Sequence, residues 1–162
     1  MDSERRRRVL IVDDEANQRS AVARMVERWG FAVETAADGQ EALDKLPLFE
    51  PHAIVTDIMM PGMDGMELLR RLAEIAGAPP VIVLTAFGSI DAALTTVHEH
   101  GAFWFVEKPI RPRAFRVLLD RAVVAQLAEL GEVADLQPLG ALDAAFGGLY
   151  AAQQQAQEGR LA

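Results

Sequence analysis

The 162 residues include no cysteine. That excludes a disulfide framework, a thiolate zinc site and a cysteine nucleophile together, and makes the cytoplasm the economical compartment. No long apolar run occurs near the start. Met1–Arg8 is polar and arginine-rich and leads into only four apolar residues, Val9–Val12, far short of a secretory signal or a membrane span. No membrane contact is therefore expected. Basic charge is also scarce: 16 Lys and Arg stand against 24 Asp and Glu, a net charge of −8. Such a chain repels phosphate backbones unless its cations cluster, so direct nucleic-acid binding is not expected. The one cluster, Arg5–Arg8, reads either as a solvated leader to the first strand or as a contact patch for an acidic partner.

Apolar residues make up 51% of the chain and charged residues 25%, enough for one domain of ordinary size with a core that needs no covalent staple. Short β-branched runs alternate with helical patterns, the signature of βα units around a parallel sheet. The strands read Val9–Val12, Phe31–Thr35, Ala53–Thr56, Val81–Leu84 and Phe103–Val106, apolar enough for burial on both faces. The helices read Asn17–Trp29, Gln40–Leu46, Met66–Ile75, Ile90–His100 and about Arg113 to Leu130. Gly30 and Gly101 suit C-terminal caps, and Asp38 with Glu41 and Asp64 with Glu67 have capping-box spacing, so these four acids read as structural. Residues 1–130 form the expected domain, and 131–162 a linker or tail. In the tail Leu139, Leu142, Phe146, Leu149 and Tyr150 share one face of a short helix after Pro138. That segment is either flexible or packed on the domain, or else it is a partner surface.

In an open α/β sheet, polar groups for binding gather at the carboxyl ends of the strands. The first strand ends in Asp13-Asp14-Glu15, the third in Asp57, the fourth in Thr85-Ala86 and the fifth in Glu107-Lys108-Pro109. If these strands are neighbours, three carboxylates, a hydroxyl and an ammonium face one pocket. Two carboxylates about 5 Å apart repel by roughly 3 kcal/mol at an effective dielectric near 20, so the cluster calls for a cation. An all-oxygen ligand set with room for water and a phosphoryl oxygen suits Mg²⁺. Lys108 adds a charge for an anion and Thr85 a hydroxyl donor. The sum describes phosphoryl transfer to a carboxylate.

Other phosphate chemistries fail on particular residues. There is no GxxxxGK[ST] loop, and Asp13–Gln18 holds no glycine for a dinucleotide fingerprint. A phosphatase acting through a strand-one Asp would need a second Asp two positions on, where Glu15 stands. His98-Glu99-His100 tempts as a metal site, but residues two apart on a helix point in different directions.

The order Asp13-Asp14, Asp57 followed by MMPGMDG, Thr85-Ala86 and Lys108-Pro109 resembles the receiver domain of bacterial response regulators over residues 8 to about 128. TAFGSIDAA and GAFWFVEKP resemble receivers of the sigma-54 enhancer-binding type. The resemblance implies a flavodoxin-like doubly wound sheet of order 2-1-3-4-5 with five helices, a metal site of Asp13 or Asp14 with Asp57 and the Met59 backbone carbonyl, and a cis Lys108–Pro109 bond. It further implies that Asp57 takes a phosphoryl group from a sensor histidine kinase, Lys108 neutralises charge, and Thr85 and Phe105 act as switch residues. The fourth helix, fifth strand and fifth helix would form the output face. The chain would catalyse only its own phosphorylation and dephosphorylation.

Trp104 departs from the usual small or acidic residue between the two strand-five aromatics and is expected against the last helix. Enhancer-binding regulators continue into an ATPase and a DNA-binding module that 32 residues cannot hold, so a stand-alone receiver or a fragment is expected. A degenerate receiver serving as a constitutive scaffold is the alternative, although no acidic or Lys residue of the pattern is missing. Val117, Leu118, Leu119, Val123, Val124, Leu127 and Leu130 give the fifth helix surplus apolar surface, which suggests a homodimer through the output face.

Overall fold

The β-branched runs become five parallel strands: β1 (Arg8–Val12), β2 (Ala32–Ala36), β3 (Ala53–Asp57), β4 (Val81–Thr85) and β5 (Trp104–Glu107). The computed structural model describes residues 6–86 and 101–132, and these lie in the first of two compact units, Met1–Glu132 and Val133–Ala162. Strand order is β2-β1-β3-β4-β5, as the resemblance implies. Four helices are described: α1 (Ala16–Arg28), α2 (Gly39–Phe49), α3 (Gly65–Ala73) and α4 (Pro112–Glu129). The expected helix Ile90–His100 with its histidine pair, the tail helix near Leu139–Tyr150, and Arg5 of the basic run lie outside the described residues. Among the described residues no helix is long and apolar enough to cross a membrane.

Burial on both faces holds for the central strands only. Every residue of β3 and β4 is buried, whereas β2 and β5 are mostly half-buried, because each closes an edge of the sheet. Both edge strands also start one residue later than expected, at Ala32 and Trp104. Gly30 and Gly101 each turn the chain with positive φ, +95° and +72°, and the turn takes up one further residue before pairing begins. Helix α2 runs through Pro47 to Phe49 rather than stopping at Leu46. Proline cannot donate to Leu43, but the helix closes on the Glu50 N–H to Leu46 carbonyl bond of 3.0 Å, with Glu50 left-handed at φ 50°.

The four capping acids are structural. Asp38 Oδ1 accepts from the Glu41 N–H at 2.8 Å and Asp64 Oδ1 from the Glu67 N–H at 2.9 Å. The return contacts differ from a simple capping box: Glu41 Oε2 accepts from Ala37 N–H at 2.9 Å, and Glu67 pairs instead with Arg70 and Arg71.

One side of the sheet carries Leu68, Leu69 and Leu72 of α3 with Leu43 and Leu46 of α2, packed on Leu10, Ile54, Val83 and Phe105. Helix α4 buries Phe115, Leu118, Leu119, Ala122 and Val123. Each fully buried large aliphatic or aromatic side chain contributes about 1.5–3 kcal/mol. Trp29, after α1, meets Phe115 with ring centroids 5.8 Å apart. Trp104 lies parallel to Phe105 at 6.1 Å. The surplus on α4 is smaller than the sequence suggests: Leu118, Leu119 and Val123 are buried, Val117, Val124 and Leu127 half-buried, and Leu130 is exposed.

At the amino-terminal ends of the strands, buried His52 links β1 to β3. Its N–H donates to the Arg8 carbonyl at 2.7 Å, and its Nδ1 accepts from the Arg8 N–H at 2.9 Å. Burial pushes the imidazole below its ordinary range, and Arg8 adds to the effect.

Candidate functional site

Strand register builds the site. Val12 pairs with Thr56, so Asp13 and Asp57 lie side by side at the carboxyl ends of neighbouring strands, which run about 4.8 Å apart. Asp57 pairs with Leu84 and Thr85 with Glu107, which sets Thr85 and Lys108 one step further along. The Lys108 N–H donates to the Thr85 carbonyl at 2.8 Å, and the Lys108–Pro109 bond is cis.

Asp57 is buried and engaged at both oxygens. Lys108 Nζ donates to Oδ2 at 2.5 Å, and the Met59 N–H donates to Oδ1 at 3.2 Å. The second contact folds the backbone of residue 59 over the carboxylate while the Met59 side chain stays exposed. Thr85 is buried, with its hydroxyl 3.5 Å from the Ala86 carbonyl. Phe105 is buried opposite Val83.

Of the paired acids after β1, only Asp13 turns inward. It is 2% exposed, whereas Asp14 is exposed. The Asp13 N–H donates to the Ala36 carbonyl at 3.1 Å and so prolongs the ladder by one residue. Asp13 Oδ1 accepts from the Glu15 N–H at 2.9 Å, but Oδ2 is buried without a hydrogen-bond partner. Burial pushes this carboxyl above the usual range. Asp57 and, more weakly, Asp14 push the same way, while the Glu15 N–H and the Lys108 charge oppose them.

Asp13 and Asp57 lie together, and Asp14 stands exposed beside them; among the described residues no three His, Cys, Asp or Glu side chains gather as a metal-holding group. An orphaned buried oxygen beside a second carboxylate, with no nitrogen or sulfur donor, still fits a hard divalent cation.

Three contributors escaped the sequence reading. Gln18, on the first turn of α1, accepts from Lys108 Nζ at 2.9 Å through Oε1. Arg19 Nη1 donates to the Asp13 carbonyl at 2.8 Å. Gly65 opens α3, donates its N–H to the Ile58 carbonyl at 2.9 Å, and presses so close that a β-carbon there would lie 2.3 Å from the Asp57 carbonyl oxygen. Gln18 had a signal in the sequence: it stands four residues before buried Val22, a polar residue at the top of an apolar stripe.

Comparison with known proteins identifies the family. The response regulator receiver domain model matches residues 9–120. The DNA-binding transcriptional regulator NtrC of Klebsiella pneumoniae is 36% identical over 113 residues, 70% of this chain and 24% of its own length. The response regulator MprA of Mycolicibacterium vanbaalenii is 38% identical over 102 residues, 63% of this chain and 44% of its own. The chain thus spans less than half the length of either relative. A solved receiver domain protein from Clostridium thermocellum superposes with TM-score 0.68 at 27% identity, covering 74% of this chain and 96% of that one. NtrX from Brucella abortus superposes with TM-score 0.70 at 28% identity, covering 76% and 28%. The chain belongs to the response regulator receiver family of two-component signal transduction.

Proposed function

We propose that this receiver is a phosphoacceptor switch in the cytoplasm, loaded by a sensor histidine kinase at Asp57. An Asp57 carboxylate oxygen attacks phosphorus in line, the P–N bond to the kinase histidine breaks, and the imidazole leaves as the neutral base once it carries a proton. Asp13 and Asp57, with the Met59 backbone carbonyl and Asp14 alongside, would hold Mg²⁺, which when bound supplies charge neutralisation for the phosphoryl oxygens. Lys108 moves its ammonium from Asp57 onto a phosphoryl oxygen, and the Thr85 hydroxyl donates to another. Ala86 leaves room beside them. The chain then acts on no substrate but itself.

The contact of Lys108 Nζ on Asp57 Oδ2 at 2.5 Å, beside the unpartnered Asp13 Oδ2, carries this reading. Labelling with a small phosphodonor in Mg²⁺ should add one phosphoryl mass to the intact protein and none to Asp57→Asn. Equal labelling of both would place the acceptor elsewhere.

Phosphorylation is read out in this proposal through Thr85 and Phe105 at the face containing β5 and α4. The apolar residues left partly open there, Val117, Val124, Leu127 and Leu130, support pairing of two copies. Light scattering at micromolar concentration tests it, and a monomer with and without phosphorylation refutes it.

A further inference from the structure

Lys108 carries three N–H donors and no acceptor, and two described partners claim it: Asp57 Oδ2 at 2.5 Å and Gln18 Oε1 at 2.9 Å. Gln18 lies ninety positions earlier in the chain, so the contact fastens the first turn of α1 to the loop after β5, at the carboxyl ends of the strands beside Asp57. The stem of Lys108 is anchored at its base by the bond of its backbone N–H to Thr85. The ammonium is therefore fixed at one end by backbone and at the other by a carboxylate and an amide.

We infer that Gln18 is a positioning residue for phosphoryl transfer, which holds the Lys108 ammonium beside Asp57 while its bond to Asp57 is exchanged for one to the incoming phosphoryl group. The inference rests on the phosphoacceptor reading of Asp57 and Lys108. As Asp57 Oδ becomes bonded to phosphorus it loses its negative charge, and the ammonium's strongest tie weakens. A flexible four-carbon stem would then search its rotamers unless a second acceptor restrained it. The amide oxygen suits this role because it accepts without charge. A carboxylate in its place would compete for the ammonium and repel the phosphoryl oxygens, whereas a hydrocarbon would not hold it. Gln18 is solvent-exposed on a well-formed helix, so changing it leaves the core untouched.

The test uses the full chain, phosphoramidate and Mg²⁺, with Gln18→Leu, Lys108→Ala, the double variant and Asp57→Asn. Gln18→Leu should lower the saturating labelling rate about three- to tenfold, the loss expected of a misplaced charged group, with the half-saturating Mg²⁺ concentration unchanged. In the Lys108→Ala background the same change should cost nothing more, since the two residues act as one unit. Where Lys108→Ala labels too slowly to measure, the side-chain εCH₂ NMR signals of Lys108 replace the cycle, and they should shift in Gln18→Leu. A parent-like rate for Gln18→Leu, an equal fold-loss in both backgrounds, or unmoved Lys108 signals overturns the role of Gln18. Labelling of Asp57→Asn at the parent rate overturns the phosphoacceptor reading instead, whatever Gln18 does.

Discussion

The backbone of Asp57 and the α-carbon of Gly65 are in van der Waals contact, so close that a methyl group at residue 65 would stand 2.3 Å from the Asp57 carbonyl oxygen and 2.9 Å from the Ile58 α-carbon. Neither neighbour is a flexible side-chain end, so the end of β3 must move if residue 65 grows. Gly65→Ala should therefore destabilise the domain by about 1–3 kcal/mol and slow labelling of Asp57 about tenfold or more. Melting and phosphodonor kinetics check both effects, and a variant with parent-like values in each would show that the contact relaxes freely.

Asp13 supplies a pH- and metal-dependent prediction. Its carboxyl is pushed above the ordinary value, chiefly by burial, so the folded state binds its proton more tightly than the unfolded chain. Stability from this group is present below the unfolded value and is lost as pH rises through the raised value. At neutral pH Asp13→Asn should therefore raise the melting temperature of the metal-free protein. The same variant should lose the stabilisation that the parent gains from millimolar Mg²⁺. A lower metal-free melting temperature, or an undiminished response to Mg²⁺, contradicts the assignment.

Thr85→Ala separates chemistry from signalling. Asp57, Lys108 and Asp13 remain, so labelling should proceed within about threefold of the parent, the loss of one hydrogen bond at the product being modest. Spectral changes at Phe105 and along β5 should nevertheless shrink. A full-sized phosphorylation response over residues 101–110 in this variant would remove Thr85 from the switch.

His52 predicts behaviour in mild acid. Its folded pKa is depressed by burial and then by Arg8, so the unfolded state takes up the proton first. Stability from the neutral imidazole is complete above its ordinary value near 6.5 and falls as pH drops toward the depressed value. His52→Asn keeps an oxygen able to accept from the Arg8 N–H and should lose less stability between pH 7 and 5 than the parent. Parallel stability curves for the two proteins would show that another group governs that range.

The sheet was legible because β-branched runs and glycine punctuation are local signals, and the strand ends then nominated residues 13, 57, 85 and 108. Burial of β2 was misread because edge position is a property of neighbours, not of its own five residues. That Asp13 is buried and Asp14 exposed goes with one backbone bond, from Asp13 to the Ala36 carbonyl, that no composition encodes. Gln18 was hidden for the opposite reason: its stripe was visible in α1, but its partner lies on a loop ninety residues away. Gly65 lies within the MMPGMDG motif, yet only the approach of two backbones shows that a β-carbon there would collide with the end of β3.

Parallel pairing has one more consequence. Asp57 and Thr85 each end a strand, and Asp13 and Lys108 each directly follow one, so the place of these candidate site residues depends on register: Val12 against Thr56, Asp57 against Leu84, Thr85 against Glu107. A one-residue slip of β3 alone would seat Thr56 beside Asp13 and turn the β3 side chains to the opposite face. On the phosphoacceptor reading, a misthreaded sheet that stayed compact and helical would accept no phosphoryl group. Labelling is then an assay of folding fidelity as much as of signalling, able to count correctly threaded molecules in a refolded or heat-stressed sample that circular dichroism would score as native.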